Sequence, residues 1–129
     1  MTSRPDDIIL VVDDELSVLR MVTTVLASTP YRAVVAEDGH SGWETFLRVQ
    51  DQVRLVLTDV VMPSMSGLEL ASKIREIRPE VKILLMTGYT DEVVEPESSF
   101  DLPLMRKPFL ADDLRRRIAE MLESKSPSS

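Results

Sequence analysis

Five polar side chains of this 129-residue chain have the types and the placement that chemistry needs: Asp13, Asp14, Asp59, Thr87 and Lys107. Asp13 and Asp14 directly follow an apolar run, Asp59 follows a second across Thr58, Thr87 follows a third and Lys107 a fourth. Three carboxylates within a few ångströms of one another repel, so without a cation at least one must take up its proton more readily. A hard divalent ion, Mg²⁺ or Mn²⁺, resolves that conflict, because it takes oxygen ligands from one or two carboxylates, waters and phosphate groups. An Asp carboxylate can attack phosphorus and form an acyl phosphate. Asp59 stands alone after the central run and is the candidate nucleophile, while Asp13 and Asp14 would hold the metal, with backbone carbonyls near Asp59 completing its shell. The Lys107 ammonium and the Thr87 hydroxyl would then neutralise and hydrogen-bond the other phosphoryl oxygens.

Positioning these groups falls to a regular alternation of elements. Five short apolar runs read as strands: Ile8 to Val12, Ala33 to Ala36, Val53 to Leu57, Val81 to Met86 and the weaker Leu102 to Met105. They show little polar alternation, as strands of a parallel sheet do when helices cover both faces. Between them, helical spacing gives apolar faces from Leu16, Leu19, Val22 and Leu26; from Gly42, Trp43, Phe46 and Leu47; from Leu70, Ile74 and Ile77; and from Leu110, Leu114, Ile118 and Met121. Ser66 to Glu69 predicts a capping box at the start of the third helix. Asp112 and Asp113 suit the first turn of the last one. Residues 90–99, which include Pro96, predict a single turn or an irregular loop rather than a full helix. The alternation predicts an α/β fold with a doubly wound parallel sheet. Ligands of such sheets bind outside the carboxyl ends of the strands, so all four polar clusters would converge on one crevice. The expected organisation is one domain over residues 7–123, with a flexible N-terminus over 1–6 and a disordered tail over 124–129.

Composition removes competing chemistries. There are no cysteines, which excludes disulfides, thiolate metal sites and a Cys nucleophile. A single histidine, His40, argues against a His-based metal cage or a Ser-His-Asp triad and reads as a surface residue. The net charge of −7 argues against nucleic-acid binding by this domain. No run is long and apolar enough to span a membrane and no secretory signal is visible, so a cytoplasmic location is expected. Trp43 reads as a packing residue and Arg115 to Arg117 as a solvated helix face. Singly, Asp13-Asp14, Asp59, Thr87-Gly88 and Lys107-Pro108 each read as an ordinary turn or cap. It is their joint occurrence after four strands that makes a site.

The runs Ile9 to Glu15, Leu57 to Pro63 with Gly67 following, Leu85 to Tyr89, and Arg106 to Phe109 together resemble the receiver domain of two-component response regulators, over nearly the whole chain. The resemblance implies a flavodoxin-like sheet of order 2-1-3-4-5 with five helices. It implies a sensor histidine kinase or histidine phosphotransfer protein as partner, whose phosphohistidine donates to Asp59. It also implies direct Mg²⁺ binding by Asp14, a water-mediated role for Asp13, a metal ligand in the Val61 backbone carbonyl, and phosphoryl contacts from Thr87 and Lys107. The Lys107–Pro108 bond is usually cis in the family. Leu104 stands where members usually carry an aromatic switch residue. The Met86 to Thr90 stretch resembles receivers joined to hybrid kinases, and single-domain regulators are the alternative setting. On this reading the chain is not a turnover enzyme but a phosphoacceptor. A dehalogenase-like phosphatase would need an acid at position 61, where Val61 stands. A pseudo-receiver would not need the complete set of five polar residues. Val61 and Tyr89 flank the site and would slow the approach of hydrolytic water.

Overall fold

The computed structural model describes residues 7–88 and 102–123. Within them the elements run β1 (Ile8–Val12), α1 (Leu16–Leu26), β2 (Arg32–Ala36), α2 (Gly39–Val49), β3 (Val53–Asp59), α3 (Gly67–Ile77), β4 (Lys82–Thr87), β5 (Leu104–Arg106) and α4 (Ala111–Glu123). The strands form one five-stranded sheet in the order β2-β1-β3-β4-β5, and every neighbouring pair is parallel. The expectations for residues 1–6, Tyr89, the 90–99 segment with Pro96, and the tail from residue 124 lie outside the described residues.

Period-two alternation of side chains explains why uninterrupted apolar runs fold this way. In β1, Ile8, Leu10 and Val12 pack with Phe46, Leu70 and Ile74 of α2 and α3. Ile9 and Val11 point to the other face, toward Leu19, Val22 and Leu26 of α1 and Leu114 and Ile118 of α4. Both faces are dry, so no position along β1 can be polar.

The helix starts follow local chemistry. Ser66 Oγ accepts from the Glu69 N–H at 3.1 Å and the Glu69 carboxylate accepts from the Ser66 N–H at 3.2 Å, which is the predicted capping box. Asp38 caps α2 by accepting from the Ser41 N–H at 2.8 Å, a start signal absent from the apolar pattern. Asp112 and Asp113 occupy the first turn of α4.

Several boundaries differ from expectation. β3 runs through Thr58 to Asp59, so Asp59 is the last strand residue and pairs with Met86 of β4. β4 begins at Lys82 rather than Val81. β5 is confined to Leu104–Arg106, although the Pro103 carbonyl still accepts from the Leu85 N–H at 3.0 Å. Leu16, Leu47, Ile77 and Leu110, expected on apolar faces, are each more than two-fifths exposed. Leu16 and Ile77 are end residues of their helices and Leu110 precedes α4, where the sheet no longer covers them. Leu47 lies one step around α2 from the buried Phe46.

The connection from β3 to α3 is held tightly. Val60 donates to the Met86 carbonyl at 2.9 Å and accepts from the Gly67 N–H at 2.8 Å. A Cβ on Gly67 would sit 2.0 Å from the Asp59 carbonyl oxygen, so only glycine fits without moving that strand end. Gly67→Ala should therefore lower the unfolding free energy by about 2 kcal/mol or more, against about 0.5 kcal/mol or less for the exposed control Ser72→Ala in the same helix. Urea denaturation checks this; a Gly67→Ala chain as stable as the native one would contradict the contact.

Candidate functional site: an acidic cleft with one lysine

The site forms where β1, β3, β4 and β5 end. Asp13 follows β1, and its backbone N–H donates to the Ala36 carbonyl at 3.1 Å, which fixes it against β2. Its Oδ1 accepts from the Glu15 N–H at 2.9 Å, which aims the carboxylate across the top of the sheet. Asp59 is carried by β3, and Thr87 closes β4 with 1% of its surface exposed. The Lys107 N–H donates to the Thr87 carbonyl at 2.7 Å, which ties the lysine's backbone to the neighbouring strand end. The Lys107–Pro108 bond is cis.

These groups, distant along the chain, meet. One carboxylate oxygen each from Asp13, Asp14 and Asp59 lies within 4.8 Å of the other two. The Lys107 Nζ stands 2.9 Å from Glu15 Oε1, 3.0 Å from Asp13 Oδ2 and 3.3 Å from Asp59 Oδ2. Asp13 is fully buried and Asp59 is 5% exposed, whereas Asp14 is exposed. The cleft above them, about 680 Å³, is lined by Asp14, Glu15, Asp59 and Lys107 and rimmed by Val18, Met21, Val61 and Phe109. Val61, half exposed, directly follows the doubly bonded Val60.

Charge is poorly balanced here. Burial raises the Asp59 pKa from 3.8 to about 6, the Asp13 and Asp14 charges push the same way, and Lys107 opposes them. Burial also raises Asp13, against the Glu15 N–H and the Lys107 ammonium. Burial by itself would lower the Lys107 pKa, but its close contacts with the Glu15 and Asp13 carboxylates and the charges of Asp13 and Asp59 outweigh that and raise it. Asp59 Oδ1 and Asp13 Oδ2 are buried with no well-directed hydrogen bond among the described residues, although the ammonium stands 3.0 Å from Asp13 Oδ2. Buried orphaned oxygens are uncommon and call for a partner such as an ion. Asp13, Asp14 and Asp59 could together hold a metal ion, and carboxylate oxygens suit a hard cation.

Of the residues singled out in the sequence, Asp13, Asp14, Asp59 and Lys107 come together, and Thr87 adjoins Lys107 through the backbone. His40 is exposed and pairs with Glu44 at 3.2 Å, away from this set. Trp43 packs on Phe46, with Lys73 over its ring. Arg115 and Arg116 are exposed and pair with Asp112 and Asp113 one turn back. Sequence reasoning missed Glu15 as the shortest contact of Lys107. Its position after the acid pair was the only available signal.

A carboxyl whose folded-state pKa lies above its unfolded value binds its proton more tightly when folded. Its favourable contribution is complete below pH 3.8 and is lost as the pH rises through about 6. In metal-free protein at pH 7.5 the ionised Asp59 therefore opposes folding. With chelator present, Asp59→Asn should stabilise the chain at pH 7.5 by on the order of 1 to 3 kcal/mol, and the gain should vanish near pH 4. Thermal unfolding at the two pH values measures this; a destabilised Asp59→Asn at pH 7.5 would contradict the charge imbalance.

Comparison with known proteins supplies the family. The family model described as response regulator receiver domain matches residues 9–119. The chain is 35% identical over 117 residues to the response regulator receiver protein CpdR of Brucella abortus, covering 88% of this chain and 95% of that protein. It is 30% identical over 117 residues to the sensor kinase CckA of the same organism, covering 89% of this chain but only 12% of the much longer kinase. A response regulator receiver domain protein from Clostridium thermocellum superposes with a TM-score of 0.82 at 26% identity, covering 95% of this chain and 99% of that one. With the 2-1-3-4-5 sheet and the acidic cleft at its carboxyl rim, the chain belongs to the response regulator receiver domains of two-component systems, on a flavodoxin-like fold.

Proposed function

We propose that this receiver domain is a phospho-accepting switch in which Asp59 takes a phosphoryl group from the phosphohistidine of a sensor histidine kinase or histidine phosphotransfer protein. The observation that carries the reading is the Lys107 ammonium lying 3.0 Å from Asp13 and 3.3 Å from Asp59, two of the three clustered aspartates. An Asp59 carboxylate oxygen attacks phosphorus, the P–N bond breaks, and its electron pair returns to the imidazole nitrogen, which takes a proton. Lys107 would leave its carboxylate partners to neutralise one phosphoryl oxygen, and the Thr87 hydroxyl would hydrogen-bond another. A divalent ion, Mg²⁺ or Mn²⁺, held by Asp13, Asp14, Asp59 and the Val61 carbonyl, would supply the charge that lets the carboxylates and an anionic phosphoryl group share one cleft. Burial of Asp13 and Asp59 limits competing water.

The reading is of an acceptor rather than a turnover enzyme, because Val61 offers no proton to a leaving group. Phosphorylation would alter contacts with an output partner in the cytoplasm. Both settings, a chain of about this length and a segment of a longer sensor kinase, occur among the relatives. Among the described residues no helix is long and apolar enough to cross a membrane.

Intact-mass analysis after incubation with Mg²⁺ and phosphoramidate or acetyl phosphate tests the proposal. One phosphoryl group should be gained by the native chain, none by Asp59→Asn, and none by the native chain in excess chelator. Sustained turnover of unrelated phosphate esters, or uptake that survives Asp59→Asn, would overturn it.

Uptake should also fall with pH. Protons compete with the metal for Asp59 and Asp13, so the Mg²⁺ affinity measured by calorimetry should drop as the pH falls below about 6. An affinity unchanged between pH 8 and pH 5 would contradict this.

A further inference from the structure

Glu15 makes two contacts that the family reading does not use. Its backbone N–H holds Asp13 Oδ1 at 2.9 Å, and its side chain holds the Lys107 ammonium at 2.9 Å, the shortest of the three carboxylate contacts that lysine makes. The two residues are 92 positions apart, so the contact is tertiary and not an accident of local spacing. The Lys107 side chain is 13% exposed, and the Glu15 side chain is 57% exposed. Glu15 is thus the solvent-exposed partner of the ammonium, while Asp13 and Asp59 contact it from buried positions. An incoming phosphoryl group must reach the same ammonium from the cleft that Glu15 lines.

From this geometry we infer that Glu15 is a positioning residue acting through Lys107: a resident counter-ion that the phosphoryl group must displace, and so a brake on phosphoryl uptake. The inference rests on the acceptor role proposed for Asp59. The Glu15 carboxylate is more than half exposed and Lys107 keeps its contacts with Asp13 and Asp59 without it, so loss of the Glu15 charge should leave the fold intact. Its effect on the site is larger, because a second anion is competing for a single ammonium, and like charge at the rim slows the approach of an anionic donor. Glu15→Gln keeps the side-chain size and its capacity to accept a hydrogen bond but removes the charge.

The rate of phosphoryl uptake from phosphoramidate at saturating Mg²⁺, followed by intact mass, should rise about three- to tenfold in Glu15→Gln, and Glu15→Asp should return it toward the native rate. In a Lys107→Met background the same substitution should change the rate by less than about twofold, since the group Glu15 acts through is gone. Calorimetric binding of beryllofluoride with Mg²⁺ provides the same four-way comparison at equilibrium, with tighter binding expected for Glu15→Gln only when Lys107 is present. An equal gain in both backgrounds would reduce Glu15 to a diffuse surface charge and overturn the inference. So would an unchanged or slower Glu15→Gln, which would make the contact neutral or orienting. If the native chain takes up no phosphoryl group, it is the acceptor role itself that fails; native uptake without a Lys107-dependent gain removes the Glu15 inference alone.

Discussion

Everything at the carboxyl rim of this sheet follows from one electrostatic conflict. Asp13 and Asp59 are buried, Asp14 stands beside them, and one lysine answers Asp13 and Asp59 while also pairing with Glu15. Burial withholds the water that would screen the carboxylates, so the Asp59 pKa rises to about 6 and Asp13 rises too. An arrangement that disfavours its own ionised state is unusual in a part that serves only stability. In the proposed switch it would become favourable when a divalent cation and an anionic phosphoryl group enter together.

The scaffold makes the conflict unavoidable. Apolar side chains on both faces leave β1, β3 and β4 no freedom to shift register, because a one-residue slip would turn every side chain to the opposite face. The ends of those strands are therefore fixed points. Asp59 pairs with Met86, the Val60 N–H reaches the Met86 carbonyl, and Gly67 lets α3 begin against the Asp59 backbone. The Lys107 N–H is tied to Thr87 on the next strand. Each chemical group thus sits at the end of a rigid element and not on a free loop.

Much of this was legible in the residues because the same rule governs strands and site. The apolar runs announced buried parallel strands, and the polar residues that interrupt them marked the strand ends. The capping box at Ser66 and Glu69 was readable because both partners are local. What escaped has a physical cause in each case. β3 continues through Thr58 and Asp59, which are buried although polar, and polarity at a run's end looks like a turn. β5 has only three residues and incomplete burial, so its signal is weak. Leu16 and Ile77 carry the apolar spacing to the helix ends, past the sheet that would cover them. The Glu15–Lys107 contact spans 92 residues and has no local signature, so only the folded arrangement reveals it.

The most direct test of the central claim is the ionisation of Asp59 itself, followed through its side-chain carboxyl carbon by NMR with and without Mg²⁺. The account predicts a metal-free midpoint near pH 6 that moves down by about one unit or more when Mg²⁺ is added. A midpoint close to 3.8 that Mg²⁺ leaves unmoved would contradict it.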